Sequence, residues 1–466
     1  MNSYLSRFLC LSSLLFLFPS ISSLADNKSI AVTLSLSKFN KNPSSDPWQK
    51  LNHLASASLI RARHLKNPQK SSLVYKTPLF PHGYGGYSIS LSFGTPPQTV
   101  SFLMDTGSDL VWFPCTHHYT CSNCSFPNQD PSSISNFIPK LSSSSKIIGC
   151  QNPKCGWLHN SDVKSRCSGC EPNSRNCSQM CPNYIIIYGS GSTAGILLSE
   201  TLDFPEKKKP NFVVGCSIFS AREPSGIAGF GRGPSSLPSQ LRLKTFSYCL
   251  LSHSLDDTKE SSLLVLNGDD KTTGISYTPF VKNPTTGNPA FSVYYYVGLK
   301  KITVGGKTVK IPYNYLSLGS EGNGGTIIDS GSTFTFMEKQ VFDLVAREFE
   351  TQVKTYKRAL HIEALSGLRP CFGVSAEKNV SLPELVFHFK GGAKMALPLA
   401  NYYSFVGNTG VVCMTVVTEG LVGTEISVGP SIILGNYQQQ NFHVEYDLEN
   451  QRLGFRQQSC GKSHGR

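Results

Sequence analysis

The sequence predicts an all-β fold, and its composition and the spacing of its apolar runs support that prediction. The 466 residues include 40 Gly and 28 Pro, and only 16% are charged, whereas soluble proteins usually have about 25% charged residues. So many turn-forming residues divide a chain into short elements, and the low charge excludes long charged helices and coiled coils. From about Tyr84, short alternating apolar runs separated by Gly and Pro are typical of strands and hairpins.

Individual elements follow from the same patterns. An early alternation, Ile30 to Leu36, is compatible with a strand. Apolar residues at helical spacing predict one helix from Glu338 to Glu363 and a shorter one at Leu237–Leu241. The clearest strand patterns lie at 87–98, 100–107, 184–193, 212–219 and 295–307.

The N-terminus has the order of a secretory signal peptide. Arg7 precedes the apolar run Phe8 to Phe18, and Pro19 and small residues follow up to Ala25. The run has 11 residues, too few to cross a bilayer, which takes about 20. We therefore expect a signal peptide at 1–25 and no membrane anchor; a buried N-terminal helix is the alternative.

The positive charge is concentrated in one segment. The net charge is +13, and residues 26–76 carry nine Lys or Arg against two Asp, a net of +7. The body of the chain is nearly balanced, so we expect no nucleic acid partner. We interpret 26–80 as a basic propeptide that covers an acidic surface, with a disordered basic linker as the alternative.

The cysteines indicate an oxidising compartment. Without Cys10 of the signal peptide, 14 of the 15 cysteines remain, enough for seven disulfides. Nine lie between Cys115 and Cys181, and with His117, His118 and His159 nearby they also permit a zinc site. Export favours disulfides, so we expect no metal. Sequons for glycosylation occur at Asn27, Asn123, Asn176 and Asn379.

An internal repeat is the most specific feature of the sequence. The run 103–108 (LMDTGS) recurs 224 residues later as 327–332 (IIDSGS), and each copy ends an apolar strand. A single copy would be only a β-turn. Two copies can bring Asp105 and Asp329 together at the interface of two similar halves. Two carboxylates so near each other cannot both ionise, so they share one proton. One then serves as base and the other as acid.

These motifs, with others in the same order, resemble the pepsin-type aspartic proteases, and more closely their cysteine-rich, nepenthesin-like plant branch. The resemblance covers about 84–460 and implies a bilobal β fold. The N-terminal lobe would be 81–258, the C-terminal lobe 259–466, and the active site would lie between them. The matching segments are 93–98, 105–112, 188–192, 329–332, 435–442 and 446–447.

The resemblance also implies roles for residues. Asp105 and Asp329 would hold the nucleophilic water. Tyr188 would lie on a mobile flap with Gly189 and Gly191, near Trp112, and Cys371 would pair with Cys413. The supporting residues around the two aspartates would be Thr106, Gly107, Ser108, Ser330, Gly331 and Ser332.

The expected activity is that of an aspartic endopeptidase working at acid pH without a cofactor. It would act as a monomer on proteins or peptides, with bulky apolar residues flanking the cleaved bond, outside the cell (apoplast, cell wall) or in the vacuole. A catalytically inactive binding protein on the same fold, such as a xylanase inhibitor, is the alternative.

Overall fold

Strands dominate the part of the chain that the computed structural model describes, as predicted. The four sheets contain 15, 5, 4 and 4 strands within that part. The described residues are 32–39, 47–66, 85–124, 135–159, 162–167, 170, 177–188, 191–204, 207–223, 225–252, 261–268, 273–286, 288–375, 379–419 and 428–460.

The largest sheet draws strands from both ends of the chain. Antiparallel pairing of Thr245–Cys249 with Phe442–Asp447 connects the two parts of this sheet. Its strands are β1 (Val32–Phe39), β2 (Gly86–Phe93), β3 (Gln98–Asp105), β4 (Trp112–Pro114), β5 (Thr120–Ser122), β6 (Lys146–Ile147), β7 (Tyr184–Ile187), β8 (Ser192–Phe204), β9 (Lys207–Ala221), β10 (Gly226–Gly229), β11 (Thr245–Cys249), β12 (Ser261–Leu266), β13 (Ser276–Pro279), and, from the C-terminal end, β27 (Phe442–Asp447) and β28 (Arg452–Gln457).

The three smaller sheets are built from the second half of the chain. The first contains β14 (Tyr295–Val297), β17 (Thr326–Ile328), β18 (Thr335–Met337), β25 (Val416–Val417) and β26 (Ile432–Leu434). The second contains β15 (Leu299–Val304), β16 (Lys307–Thr308), β21 (Leu385–Phe389) and β22 (Lys394–Ala396). The third contains β19 (Lys357–Arg358), β20 (Cys371–Gly373), β23 (Tyr403–Phe405) and β24 (Val411–Met414).

Helices are few. They are α1 (Pro47–Lys66), α2 (Gly156–His159), α3 (Asp162–Arg166), α4 (Leu237–Leu241), α5 (Tyr313–Leu316), α6 (Lys339–Gln352) and α7 (Leu360–Ser366). Short 3-10 turns lie at Pro139–Leu141, Pro153–Cys155, Pro289–Val293, Lys390–Gly392 and Leu399–Asn401. The predicted short helix is α4, which begins after Ser236, whose hydroxyl accepts a bond from the Ser239 amide.

The prediction of a single helix from Glu338 to Glu363 is wrong. Its buried stripe ends with Phe349, and α6 ends at Gln352. The next residues form strand β19, which pairs with β20, and α7 follows as a separate helix. The pairing of Lys357 and Arg358 with a neighbouring strand therefore outweighs helix propensity there.

The segment interpreted as a propeptide forms two elements. Strand β1 lies between β12 and β2, with Leu34 opposite Leu264 and Ser37 opposite Ser88. Helix α1, which the sequence analysis missed, places Leu51, Leu54 and Leu65 in the core cluster that contains Phe334 and Phe336. Both elements are thus integrated into the fold.

Candidate active site

Each repeated aspartate lies where an apolar strand meets a second strand running parallel to it. Asp105 ends β3, which pairs in parallel with β10, and Asp329 follows β17, which pairs in parallel with β26. The backbone carbonyl of Asp105 accepts a bond from the Phe230 amide at 2.7 Å, and the Asp329 amide donates to the Leu434 carbonyl at 3.0 Å. Strands β10 and β26 and the residues next to them therefore support the two aspartate loops.

The two loops are held together by a nearly symmetrical set of hydrogen bonds. The Thr106 amide donates to the Ser330 hydroxyl at 3.1 Å, and the Ser330 amide donates to the Thr106 hydroxyl at 2.9 Å. The Ser330 hydroxyl also donates to the Met104 carbonyl at 3.0 Å. Both loops are buried, so each bond satisfies a group that water cannot reach.

The two carboxylates receive matching support. Gly107 and Gly331 donate amide bonds to the Oδ1 atoms of Asp105 and Asp329 at 2.9 and 3.0 Å. Ser108 and Ser332 donate hydroxyl bonds to the Oδ2 atoms, both at 2.5 Å. The structure thus brings Asp105, Asp329 and their six predicted supporting residues into one site.

Glycine is required beside each carboxylate. A Cβ atom on Gly107 would lie 2.7 Å from Asp329 Oδ1, and one on Gly331 would lie 2.4 Å from Asp105 Oδ1. Any other residue would push the opposite carboxylate away.

A cation from α1 lies between the two carboxylates. Arg61 Nη2 donates to Asp105 Oδ1 at 2.6 Å and to Asp329 Oδ1 at 3.4 Å, and its Nε donates to Asp329 Oδ2 at 3.2 Å. Burial opposes the charge of the guanidinium, but the two carboxylates raise the pKa of Arg61 above its usual value. The helix of the N-terminal segment therefore blocks the site with a permanently charged group.

The two carboxyl groups differ in proton affinity. Burial raises the pKa of Asp105 to about 6, against the opposing effect of Arg61. Burial also acts on Asp329, but Arg61 and the Ser332 hydroxyl outweigh it and lower the pKa of that carboxyl. The pair therefore has one group that binds a proton readily and one that releases it.

Tyr188 immediately follows β7 and lines the cavity that also contains Asp105. Its hydroxyl accepts a bond from Trp112 Nε1 at 2.8 Å, and its amide donates to the Gly191 carbonyl at 2.7 Å across the hairpin. Burial, followed by the charge of Asp105, raises the pKa of Tyr188 well above its usual value. A Cβ on Gly191 would lie 2.1 Å from the Ala221 carbonyl oxygen, and Gly189 lies outside the described residues.

The cysteines form disulfides. The 14 cysteines other than Cys10 form seven pairs, including Cys371 with Cys413, the pair implied by the resemblance. The other pairs are 115–216, 121–124, 150–167, 155–181, 170–177 and 249–460. Within the described residues, no group of His, Cys, Asp and Glu is arranged to hold a metal ion.

Two of the four predicted glycosylation sites lie on exposed residues. Asn123 and Asn379 are exposed, as a glycan would require, whereas Asn27 and Asn176 lie outside the described residues. The predicted signal peptide also lies outside them. Among the helices that are described, none is long and apolar enough to span a membrane.

Sequence reasoning missed three residues of the site. Arg61 lies on a helix with only a weak apolar stripe, so the sequence does not distinguish it from the other basic residues of its segment. Glu223, which lines the cavity beside Asp105, lies in a loop outside any of the sequence motifs, so the sequence does not single it out. Asn436 donates to the carbonyls of Gly85 and Ser330 at 2.7 and 3.0 Å. It lies in the matching segment 435–442, but the sequence alone did not indicate this role.

The site has the architecture of the aspartic proteases: two apposed aspartate loops and a hairpin that carries a tyrosine. Comparisons with known proteins agree. The family model described as xylanase inhibitor N-terminal matches residues 87–268, and the one described as xylanase inhibitor C-terminal matches 294–457. A probable aspartyl protease of Arabidopsis thaliana is 36% identical, over 80% of this chain and 82% of that protein. Nepenthesin-2 of Nepenthes gracilis is 33% identical, over 86% of this chain and 84% of that protein.

Solved structures show the same fold. The structure titled edgp has a TM-score of 0.61 at 20% identity, and covers 92% of this chain and 95% of its own. The basic 7S globulin from soybean has a TM-score of 0.60 at 16% identity, and covers 93% and 98%. The chain therefore belongs to the pepsin-type aspartic protease family, in its nepenthesin-like branch, and has the bilobal β fold of that family.

Proposed function

We propose that this protein is an aspartic endopeptidase that hydrolyses peptide bonds with a water molecule activated between Asp105 and Asp329. The observation that carries the proposal is the paired support of the two carboxylates, each with one amide and one hydroxyl bond. That support fixes both groups in position, and two buried carboxyl groups so close together share one proton once Arg61 has left. An acid and a base at the same point are what general acid–base hydrolysis requires.

The reaction follows from the two protonation states. The ionised carboxylate takes a proton from water, and the protonated one donates a hydrogen bond to the carbonyl oxygen of the scissile bond. As water adds to the carbonyl carbon, the protonated carboxyl transfers its proton to the carbonyl oxygen, and a tetrahedral diol forms. The proton taken from water then passes to the nitrogen, a diol hydroxyl returns its proton to the other carboxylate, and the C–N bond breaks without a covalent acyl-enzyme. Closure of the Tyr188 hairpin over the peptide would exclude bulk water.

We further propose that residues 26–80 are a propeptide and that the protein is a zymogen. Arg61 occupies the position that water and the substrate carbonyl must take. Five residues along α1, the buried Lys66 is paired with Glu338 and lies 5.4 Å from the centre of the Phe336 ring. Two cations on one helix thus anchor the segment to acidic groups of the body.

Acid would release this segment. Arg61 lowers the pKa values of both aspartates in the docked state, so docking is favoured above the pKa of the free pair and is weakened as pH falls. Cleavage would follow between about Lys70 and His82, a region outside the described residues. The protein would then work as a monomer outside the cell or in the vacuole, after passage through the secretory pathway directed by residues 1–25 and with glycans at its sequons.

A binding protein without catalysis is the second candidate, because the matching family models carry the description of xylanase inhibitors. The complete set of dyad, supporting hydroxyls and flap tyrosine favours the enzyme. The experiment is to acidify the purified full-length protein, add denatured globin, and measure hydrolysis with and without a statine-type inhibitor. Inhibitor-sensitive hydrolysis supports the peptidase, and absence of hydrolysis at every pH supports the binding protein.

A further inference from the structure

A cavity beside the dyad contains a carboxylate that the proposed hydrolysis does not use. Its permanent walls include Leu103, Asp105, Tyr188, Glu223 and Ile227, and Ala57 and Arg61 of α1 cover it. Release of α1 would therefore open this cavity directly next to the scissile bond of a bound peptide.

Glu223 is fixed in this wall. It is 2% exposed, and its backbone carbonyl accepts bonds from the Tyr119 hydroxyl at 2.8 Å and the Ser220 hydroxyl at 2.6 Å. Its side chain lies against the base of the flap: a Cβ on Gly191 would come within 2.9 Å of Glu223 Cγ and 3.2 Å of its Oε1. The glycine that shapes the hairpin also leaves room for this carboxylate.

The chemistry of the cavity suits one class of side chain. Leu103 and Ile227 supply apolar surface, while Glu223 and Asp105 supply negative charge. Lysine and arginine combine a long apolar stem with a cationic head, and therefore match both parts of such a wall. In the docked state the cavity is lined from α1 by Ala57 and by a cation, Arg61.

We propose that Glu223 is a specificity-determining residue that selects lysine or arginine in the substrate, adjacent to the cleaved bond. This inference rests on the proposed peptidase function. It confines the expected preference for bulky apolar side chains to other positions of the substrate.

The test compares peptides that differ only in Arg or Leu at each position around the cleaved bond. The acid-activated full-length protein should prefer Arg at one position next to that bond. Glu223→Gln should lower the Arg-to-Leu ratio of kcat/KM at least about tenfold, because it removes one partner of a desolvated charge pair. Glu223→Asp should retain part of the preference. Glu321→Gln, an equal charge change at an exposed position, should not alter the ratio.

An unchanged ratio in Glu223→Gln, or an equal loss on both peptides, would overturn the specificity role while the peptidase proposal stands. If the wild type cleaves no peptide at any pH, the peptidase proposal itself fails.

Discussion

The two aspartate loops are built alike but are electrostatically different. Each carboxylate accepts one glycine amide and one serine hydroxyl, and each loop donates an amide to the hydroxyl of the other. Yet the pKa of Asp105 is raised to about 6 and that of Asp329 is lowered. Arg61, which lies outside the repeat, donates one bond to Asp105, from Nη2, and two to Asp329, from Nε and Nη2. The repeat thus fixes the geometry, while a single residue of α1 breaks the electrostatic symmetry.

The largest expected effect comes from removing either half of the dyad. Asp105→Asn and Asp329→Asn should each reduce kcat by about a thousandfold or more, because an amide can neither share the proton nor act as base. The measurement is hydrolysis of a peptide at acid pH by folded, purified variants. Asp203→Asn is the matched control, since Asp203 lies in a surface ion pair with Lys208. Retention of more than a few per cent of wild-type activity by either dyad variant would show that the assignment is wrong.

The second-largest effect should come from replacing Arg61, which makes the two carboxyl groups electrostatically unequal. Arg61→Ala should raise the pH at which peptidase activity first appears by at least about one unit, because the docked helix loses its contact with both carboxylates. Arg63→Ala is the control, because Arg63 is exposed on the same helix. Activity is followed in full-length protein across a pH series, with N-terminal sequencing of the products. Equal onset in the two variants would contradict the blocking role of Arg61.

A histidine beside Arg61 should sharpen the response to acid. Burial and the charge of Arg61, opposed by Asp329, together lower the pKa of His64 to about 3. A free histidine has a pKa of about 6.5, so protonation favours the released helix as pH falls from about 6.5 towards 3. His64→Gln should therefore lower the onset pH by about half a unit. His117→Gln, at an exposed histidine, should leave it unchanged, and an upward shift in His64→Gln would refute this role.

Removing the hydrogen bonds between the two aspartate loops should have the smallest effect, and the two single variants should lose similar amounts of stability. Thr106→Ala and Ser330→Ala each remove the acceptor of a buried amide in the opposite loop. Each should cost about 1–3 kcal/mol in the free energy of unfolding, measured by urea denaturation. The double variant should cost less than the sum of the two, since the residues belong to one network. Full additivity, or a loss in only one variant, would contradict the symmetrical arrangement.

The sequence predicted the parts of the site that depend on local chain pattern. The strands before Asp105 and Asp329 end in Asp-(Thr/Ser)-Gly-Ser, so strand, turn and hydroxyl are readable in each copy. The mostly β fold followed from the same short apolar runs. These features rest on residues within a few positions of one another.

The rest could not be predicted because it depends on long-range packing. Helix α1 has only a weak apolar stripe, and it is stabilised by contact with residues such as Phe334 and Phe336, far away in the chain. Arg61 was one of nine basic residues in a segment whose charge alone indicated a cover. The single helix expected from Glu338 to Glu363 failed for a related reason, since Lys357 and Arg358 pair with β20.

The most direct test of a dyad blocked by Arg61 is the binding of a statine-type peptide, which mimics the tetrahedral diol without being cleaved. Calorimetry should be carried out on full-length wild type, Arg61→Ala and Asp329→Asn, before and after acidification. The account predicts no binding to intact wild type at neutral pH, binding to Arg61→Ala under the same conditions, and stoichiometric binding to wild type once acid has released residues 26–80. Equal binding to wild type and Arg61→Ala at neutral pH, or no binding to acid-treated wild type, would contradict it.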